Sequence, residues 1–171
     1  MRALLLFVSF AACGPAASTL PPDSECTRGA RESDLAEGAW SGPGVLPDGG
    51  LPANADVAIS TTFLALDPSA NAQALFGTLF ADVRTDLQTR DGLIAWKTAT
   101  STRCVTARTL GVWRDEASMF AFATGKAHAA AAAKVGTLSR GNSAVTHWHD
   151  QASNADLTHA FTRLGAADAP F

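Results

Sequence analysis

An α+β fold with the element order β-α-β-β-α-β is what this 171-residue sequence predicts. Three observations carry the expectation. A β-branched stretch of period two runs directly into an amphipathic helix of period 3.6. Two further strand-like stretches follow as a hairpin. A second helical region then returns the chain to a closing strand. That order is the split β-α-β, or ferredoxin-like, arrangement of an antiparallel sheet with helices on one face.

The elements follow in order. Asp56 to Leu66 (DVAISTTFLAL) places Val57, Ile59, Thr61 and Phe63 on one face, which predicts the first strand. Asp67-Pro68 ends it and opens a helix, with Asp67 as the expected cap and Pro68 at the first helical position. Ala72, Leu75, Phe76, Leu79, Phe80, Val83 and Leu87 recur at intervals of three and four, so this helix packs on a sheet. Asp91-Gly92 is a turn. Leu93 to Thr100 is the second strand, with Ile94, Trp96 and Thr98 on one face, and Arg103 to Arg114 is the third. Asp115 caps the second helix, whose Met119, Phe120 and Phe122 are core candidates. Gly125 caps or breaks it, and a further helical piece runs from Lys126 to about Leu138. Ser143 to Asp150 closes the sheet, and Asp156 to Leu164 has the pattern of a short terminal helix.

The chain's start predicts export. Met1-Arg2 and the apolar run Ala3 to Ala12 have the form of a signal peptide and are too short for a membrane span. The run ends Phe10-Ala11-Ala12-Cys13-Gly14, which resembles the lipobox of bacterial lipoproteins and implies lipidation of Cys13 in the cell envelope. The alternative is an ordinary secretory signal cut near Ala17. Residues 14–55 are rich in Gly, Pro, Ser and Asp and predict a flexible spacer, Trp40 being its only aromatic residue. The expected domain is 56–150, with 151–171 as an extension. Export permits disulfides, and Cys26 and Cys104 are then the remaining pair, either bridged or independent thiols. The net charge of −3 and the lack of a basic run argue against nucleic acid.

The pattern Val112-Trp113-Arg114-Asp115-Glu116, Phe120 and Phe122, Gly125-Lys126-Ala127-His128, then Val145-Thr146-His147-Trp148, resembles the antibiotic-biosynthesis-monooxygenase type of dimeric α+β barrel. The resemblance spans roughly residues 56–150. It implies a homodimer joined through its sheets, a cleft between helices and sheet, and either cofactor-free oxygenase chemistry on aromatic molecules or haem degradation. The haem-degrading branch carries an Asn on the first strand and a Trp ten residues before the His. Here the strand offers Ser60, Thr61 and Thr62, and the position ten before His128 is Ser118.

His128 follows a Gly at a helix start, where the helix dipole and Lys126 favour a neutral imidazole. Such a ring serves as a base toward substrate or as an iron ligand, or it packs on Trp113 or is satisfied by backbone, without chemistry. Trp113 is expected to shape the cleft. Trp96, Phe122, Trp148 and His147 are expected to line a pocket for a small hydrophobic, aromatic ligand, although large aromatics in a small core also serve as packing. His147 and His149 share a strand face and can reach one metal, but no third ligand is evident, so no metal site is assigned. No cofactor is expected unless the flat ligand is haem, and the membrane is met only through the lipid. A non-catalytic ligand binder and a structural envelope lipoprotein are the competing readings.

Overall fold

The computed structural model describes residues 25–53 and 55–167. Expected lipid acceptor Cys13, with the whole leader, lies outside them. Five strands, β1 (Ala36–Glu37), β2 (Asp56–Ala65), β3 (Leu93–Ser101), β4 (Thr106–Trp113) and β5 (Ala144–Gln151), form one antiparallel sheet in the order β1-β3-β4-β2-β5. The helices are α1 (Ala70–Leu87), α2 (Glu116–Ala123), α3 (Lys126–Ala132), α4 (Val135–Leu138) and α5 (Leu157–Ala166). The architecture is α+β, as the sequence predicts. None of the described helices is long and apolar enough to cross a membrane.

Local boundaries shift for identifiable reasons. Helix α1 starts later than expected because Ser69, not Asp67, is its cap. The Ser69 hydroxyl accepts from Ala72 N, while Asp67 Oδ1 accepts from Ser69 N in the preceding turn. Strand β4 starts at Thr106 rather than Arg103, because Val105 turns the hairpin with φ +48. The Asp34 carboxylate holds that turn, accepting from Thr102 Oγ1 at 3.0 Å and Arg103 N at 2.8 Å. Its hydrogen bond from Ser101 is the main reason its pKa falls to about 2. Asp115 caps α2 as expected, accepting from Ser118 N at 2.7 Å. The helical piece expected from Lys126 to Leu138 is divided at Ala133 and Lys134 into α3 and α4.

Period-two alternation assigns side chains to two faces. Val57, Ile59, Leu110, Val112 and Trp148 point one way and build the larger core with Ala160 and Phe161 of α5. Ala58, Ser60, Thr62, Gly111, Trp113, Val145 and His147 point the other way, toward α1 to α4. Helices therefore lie on both faces, not on one.

The segment expected as a flexible spacer is, from Glu25 to Ala53, packed across the first of these faces. Leu35, Trp40 and Leu51 rest on its core, and Lys97 sits 4.9 Å from the centre of the Trp40 ring. Cys26 and Cys104 are disulfide-bonded across 78 residues of chain. Arg108 holds the rest. Its Nε donates to both Glu32 oxygens at 3.1 Å, Nη1 to Arg28 O, and Nη2 to Thr27 O and Ala30 O. Its guanidinium lies 4.4 Å from the Phe63 ring centre and 4.6 Å from that of Phe161. Glu32 and Arg108 are each 1% exposed. A segment poor in apolar residues is thus ordered by an ion pair and a covalent bond together with the few apolar side chains it has. It also crosses α5 closely: a Cβ on Gly29 would lie 2.9 Å from Gly165 Cα. The folded unit accordingly extends to either side of 56–150, and α5 is a layer of it, not an appendage. The sheet face that the resemblance would give to a second copy is buried under the chain's own residues.

Candidate functional site

On the opposite face, helices and sheet enclose a cavity of about 410 Å³, inside the ordinary range for a small-molecule site. Its floor is the sheet, including Ser60, Thr62, Leu64, Thr109 and Gly111. Its roof is α1, through Phe76, Leu79, Phe80 and Val83, with Ala131, Ala132 and Val135 beside them. This explains the apolar row of α1. Only Ala72 and Leu87 of that helix are buried, and most of the others face the void. The small alanines of α3 leave space where larger side chains would fill it. Among the described residues no Asp, Glu, Lys or Arg belongs to the lining.

One wall is an aromatic stack. Trp113 lies against Phe122 with ring centres 5.0 Å apart, and Phe122 against His128 at 4.8 Å. Trp96 meets Phe80 edge-on at 6.3 Å on another side. At the rim Phe120 and Val145 are 48% and 44% exposed, and Phe120 meets the His147 ring edge-on at 5.4 Å. Phe120, expected in the core, is therefore a rim residue, because it points outward from α2 while Met119 and Phe122 point inward.

His128 is fixed by the end of the preceding helix. Its Nδ1 lies 2.9 Å from Ala123 O. The carbonyl can only accept, so Nδ1 carries the hydrogen and Nε2 keeps its lone pair. Burial is the main cause that lowers the His128 pKa below its ordinary 6.5, outweighing the Ala123 hydrogen bond. The ring is neutral at neutral pH, as expected, but desolvation rather than the helix dipole is the leading reason.

The structure brings Trp96, Trp113, Phe122, His128 and His147 to one cavity. Trp148 does not belong with them. Strand alternation turns it onto the opposite face, 6% exposed, with Arg163 5.7 Å from its ring centre. His147 and His149 reach from β5 to one carboxylate oxygen: their Nε2 atoms lie 3.4 and 3.0 Å from Glu116 Oε1. Among the described residues no group of three His, Cys, Asp or Glu is arranged to hold a metal ion. Sequence reasoning missed the floor hydroxyls. Ser60 accepts from Trp113 Nε1 at 2.9 Å, and Thr62 and Thr109 are hydrogen-bonded at 2.6 Å. Their signal was available in the polar residues 60 and 62 on the helix-facing side of β2.

Haem meets these residues halfway. A free His128 Nε2 could ligate the iron, but among the described residues the lining has no Lys or Arg to pair with propionates. The cavity's chemistry does not fit that group.

No protein-family model and no curated protein matches the chain. Among solved structures it is similar to a protein from Shewanella oneidensis, with 16% identity over 58% of this chain and 96% of that one and a TM-score of 0.49. It is similar to an antibiotic biosynthesis monooxygenase at 10% identity, covering 53% and 95%, with a TM-score of 0.47. A Caulobacter crescentus protein proposed to be an antibiotic biosynthesis monooxygenase matches at 15%, covering 56% and 91%, also with a TM-score of 0.47. Each likeness is one of fold, at under 25% identity.

Proposed function

We propose that this chain is an envelope-anchored, monooxygenase-like protein whose cavity takes a small, uncharged, aromatic molecule. The observation that carries the reading is the apolar cavity with a neutral, half-buried His128 and, among the described residues, no Asp, Glu, Lys or Arg in its lining. Such a site favours flat hydrophobic surface and disfavours a charged ligand, whose burial without a partner costs several kcal/mol. His128 Nε2 is the base that accepts a proton from the ligand, and Trp113 with Phe122 shapes the wall against which the ligand lies. No cofactor is called on, since a deprotonated electron-rich ring can itself supply electrons to dioxygen. The lipobox-like leader supports anchoring through Cys13, and the buried Cys26–Cys104 bridge supports an oxidising compartment. The homodimer stays in the proposal with its contact moved to surfaces other than the covered sheet face. Light scattering on the purified protein tests it.

The test of function is oxygen uptake by the purified full chain with a panel of hydroquinones and naphthols, alongside His128→Gln. Turnover that falls at least about 100-fold in the variant supports the base assignment. Equal turnover in both proteins removes it. A parallel haem titration is expected to give no His128-dependent Soret shift, and a shift lost in His128→Ala would favour a haem-binding protein instead.

A further inference from the structure

We propose that Ser60 is the hydrogen-bond donor by which the cavity recognises an oxygen atom on its ligand, and that Gly111 is what frees it for that role. The inference rests on the cavity being a ligand site and adds the ligand's chemistry: an uncharged, flat ring system bearing a carbonyl-type acceptor.

The polarity at Ser60 is fixed. An indole Nε1–H can only donate, so the Trp113–Ser60 bond, 2.9 Å long, occupies a lone pair of the hydroxyl and leaves its hydrogen available. Among the described residues the bond from Trp113 is the one hydrogen bond the Ser60 hydroxyl makes, and Ser60 lines the cavity floor. The neighbouring Thr62–Thr109 pair differs, because either hydroxyl can donate and its polarity is not set. In the series Trp113 N–H to Ser60 O–H to ligand oxygen, each bond polarises the next. His128 Nε2 offers the complementary acceptor on the same cavity.

Gly111 makes the arrangement possible. It pairs with Ser60 across the β2–β4 ladder, and the Trp113 indole lies over it. A Cβ at position 111 would stand 2.8 Å from Trp113 Nε1 and 3.0 Å from Ser60 Oγ. Any larger residue pushes the indole away from the hydroxyl. The glycine is therefore a positioning residue that acts through Trp113.

The test compares fluorene with fluorenone, two ring systems alike except for one carbonyl, binding to the full chain by quenching of tryptophan fluorescence. Wild type is expected to bind fluorenone about five- to tenfold more tightly. Ser60→Ala should remove that preference, Ser60→Thr should keep it, and Gly111→Ala should lose it as Ser60→Ala does. Thermal melts identify any variant that fails to fold, and if Ser60→Ala is one of them, Gly111→Ala carries the comparison against wild type. A fluorenone preference that survives Ser60→Ala overturns the Ser60 role and leaves the cavity reading standing. Failure of wild type to bind either probe overturns both.

Discussion

The two faces of this sheet start from the same strands and reach opposite ends. One is closed by α5 and residues 25–53, with a buried ion pair and a disulfide holding the cover in place. The other is roofed by four helices that leave a void of about 410 Å³. The difference is in how each cover is attached. The closed face is held by contacts between residues 74 to 81 positions apart, centred on Arg108. The open face is covered by elements following one another along the chain, whose small residues stop short of filling it. Stability is concentrated on one side, and room for a ligand on the other.

The largest way to break this division is Glu32→Ala. It would leave the Arg108 guanidinium buried without its counter-ion, and losing one partner of such a pair costs about 3–5 kcal/mol. The expected result is a large fall in urea midpoint, with the fluorenone affinity of the still-folded protein unchanged. A loss below about 1 kcal/mol would mean that the three backbone carbonyls alone satisfy Arg108.

Breaking the disulfide comes next. Cys26→Ser paired with Cys104→Ser frees a 78-residue separation, worth about 2–4 kcal/mol through the unfolded chain. The double variant should melt lower, and reductant should bring wild type toward it. If reductant leaves the wild-type melting temperature unmoved, the thiols are not bridged in solution.

What the sequence disclosed follows the same division. The cavity side was legible because its signals are periodic: alternation grouped Trp96 with Thr98 and set His147 apart from Trp148, although the bulge between Leu93 and Ala95 turns Ile94 to the other core, and intervals of three and four marked α1. The closed side was not. Residues 25–53 carry no period, and their order depends on Glu32 and Arg108 meeting from 76 residues apart. On a strand of alternating polarity Arg108 reads as a solvated charge, and nothing local marks it as the centre of a buried cluster. The same alternation should have removed Trp148 from the pocket once His147 was placed in it. Periodicity also overfilled the cavity, since a residue facing a void has the same spacing as one facing a core. Phe76 and Phe80 could be placed on the inner face of α1 by that rule, but not in contact with empty space.

A smaller effect on stability, with a large one on binding, is expected for Ala131→Leu. Its side chain would enter the void beneath α3, so the folded state should change by no more than about 1 kcal/mol. Fluorenone binding should fall at least tenfold. Unchanged binding would place the ligand elsewhere along the floor.

The smallest effect concerns protons. Burial holds the His128 pKa in the folded chain below its ordinary value of 6.5. Between those two values the unfolded chain binds a proton that the folded chain refuses, so acidification through this window favours unfolding. Above about pH 6.5 both states are neutral at this residue and it contributes no slope. The chain carries three other histidines, and nearby Asp86 opposes part of the His128 shift. A single pH series therefore cannot isolate His128, but the difference between wild type and His128→Gln can. Wild type should lose stability relative to the variant as pH falls from about 7 to about 5. The opposite sign would mean that His128 is charged in the folded chain. A cationic ring in an apolar cavity would hold an anion, and the case for an uncharged ligand would fail with it.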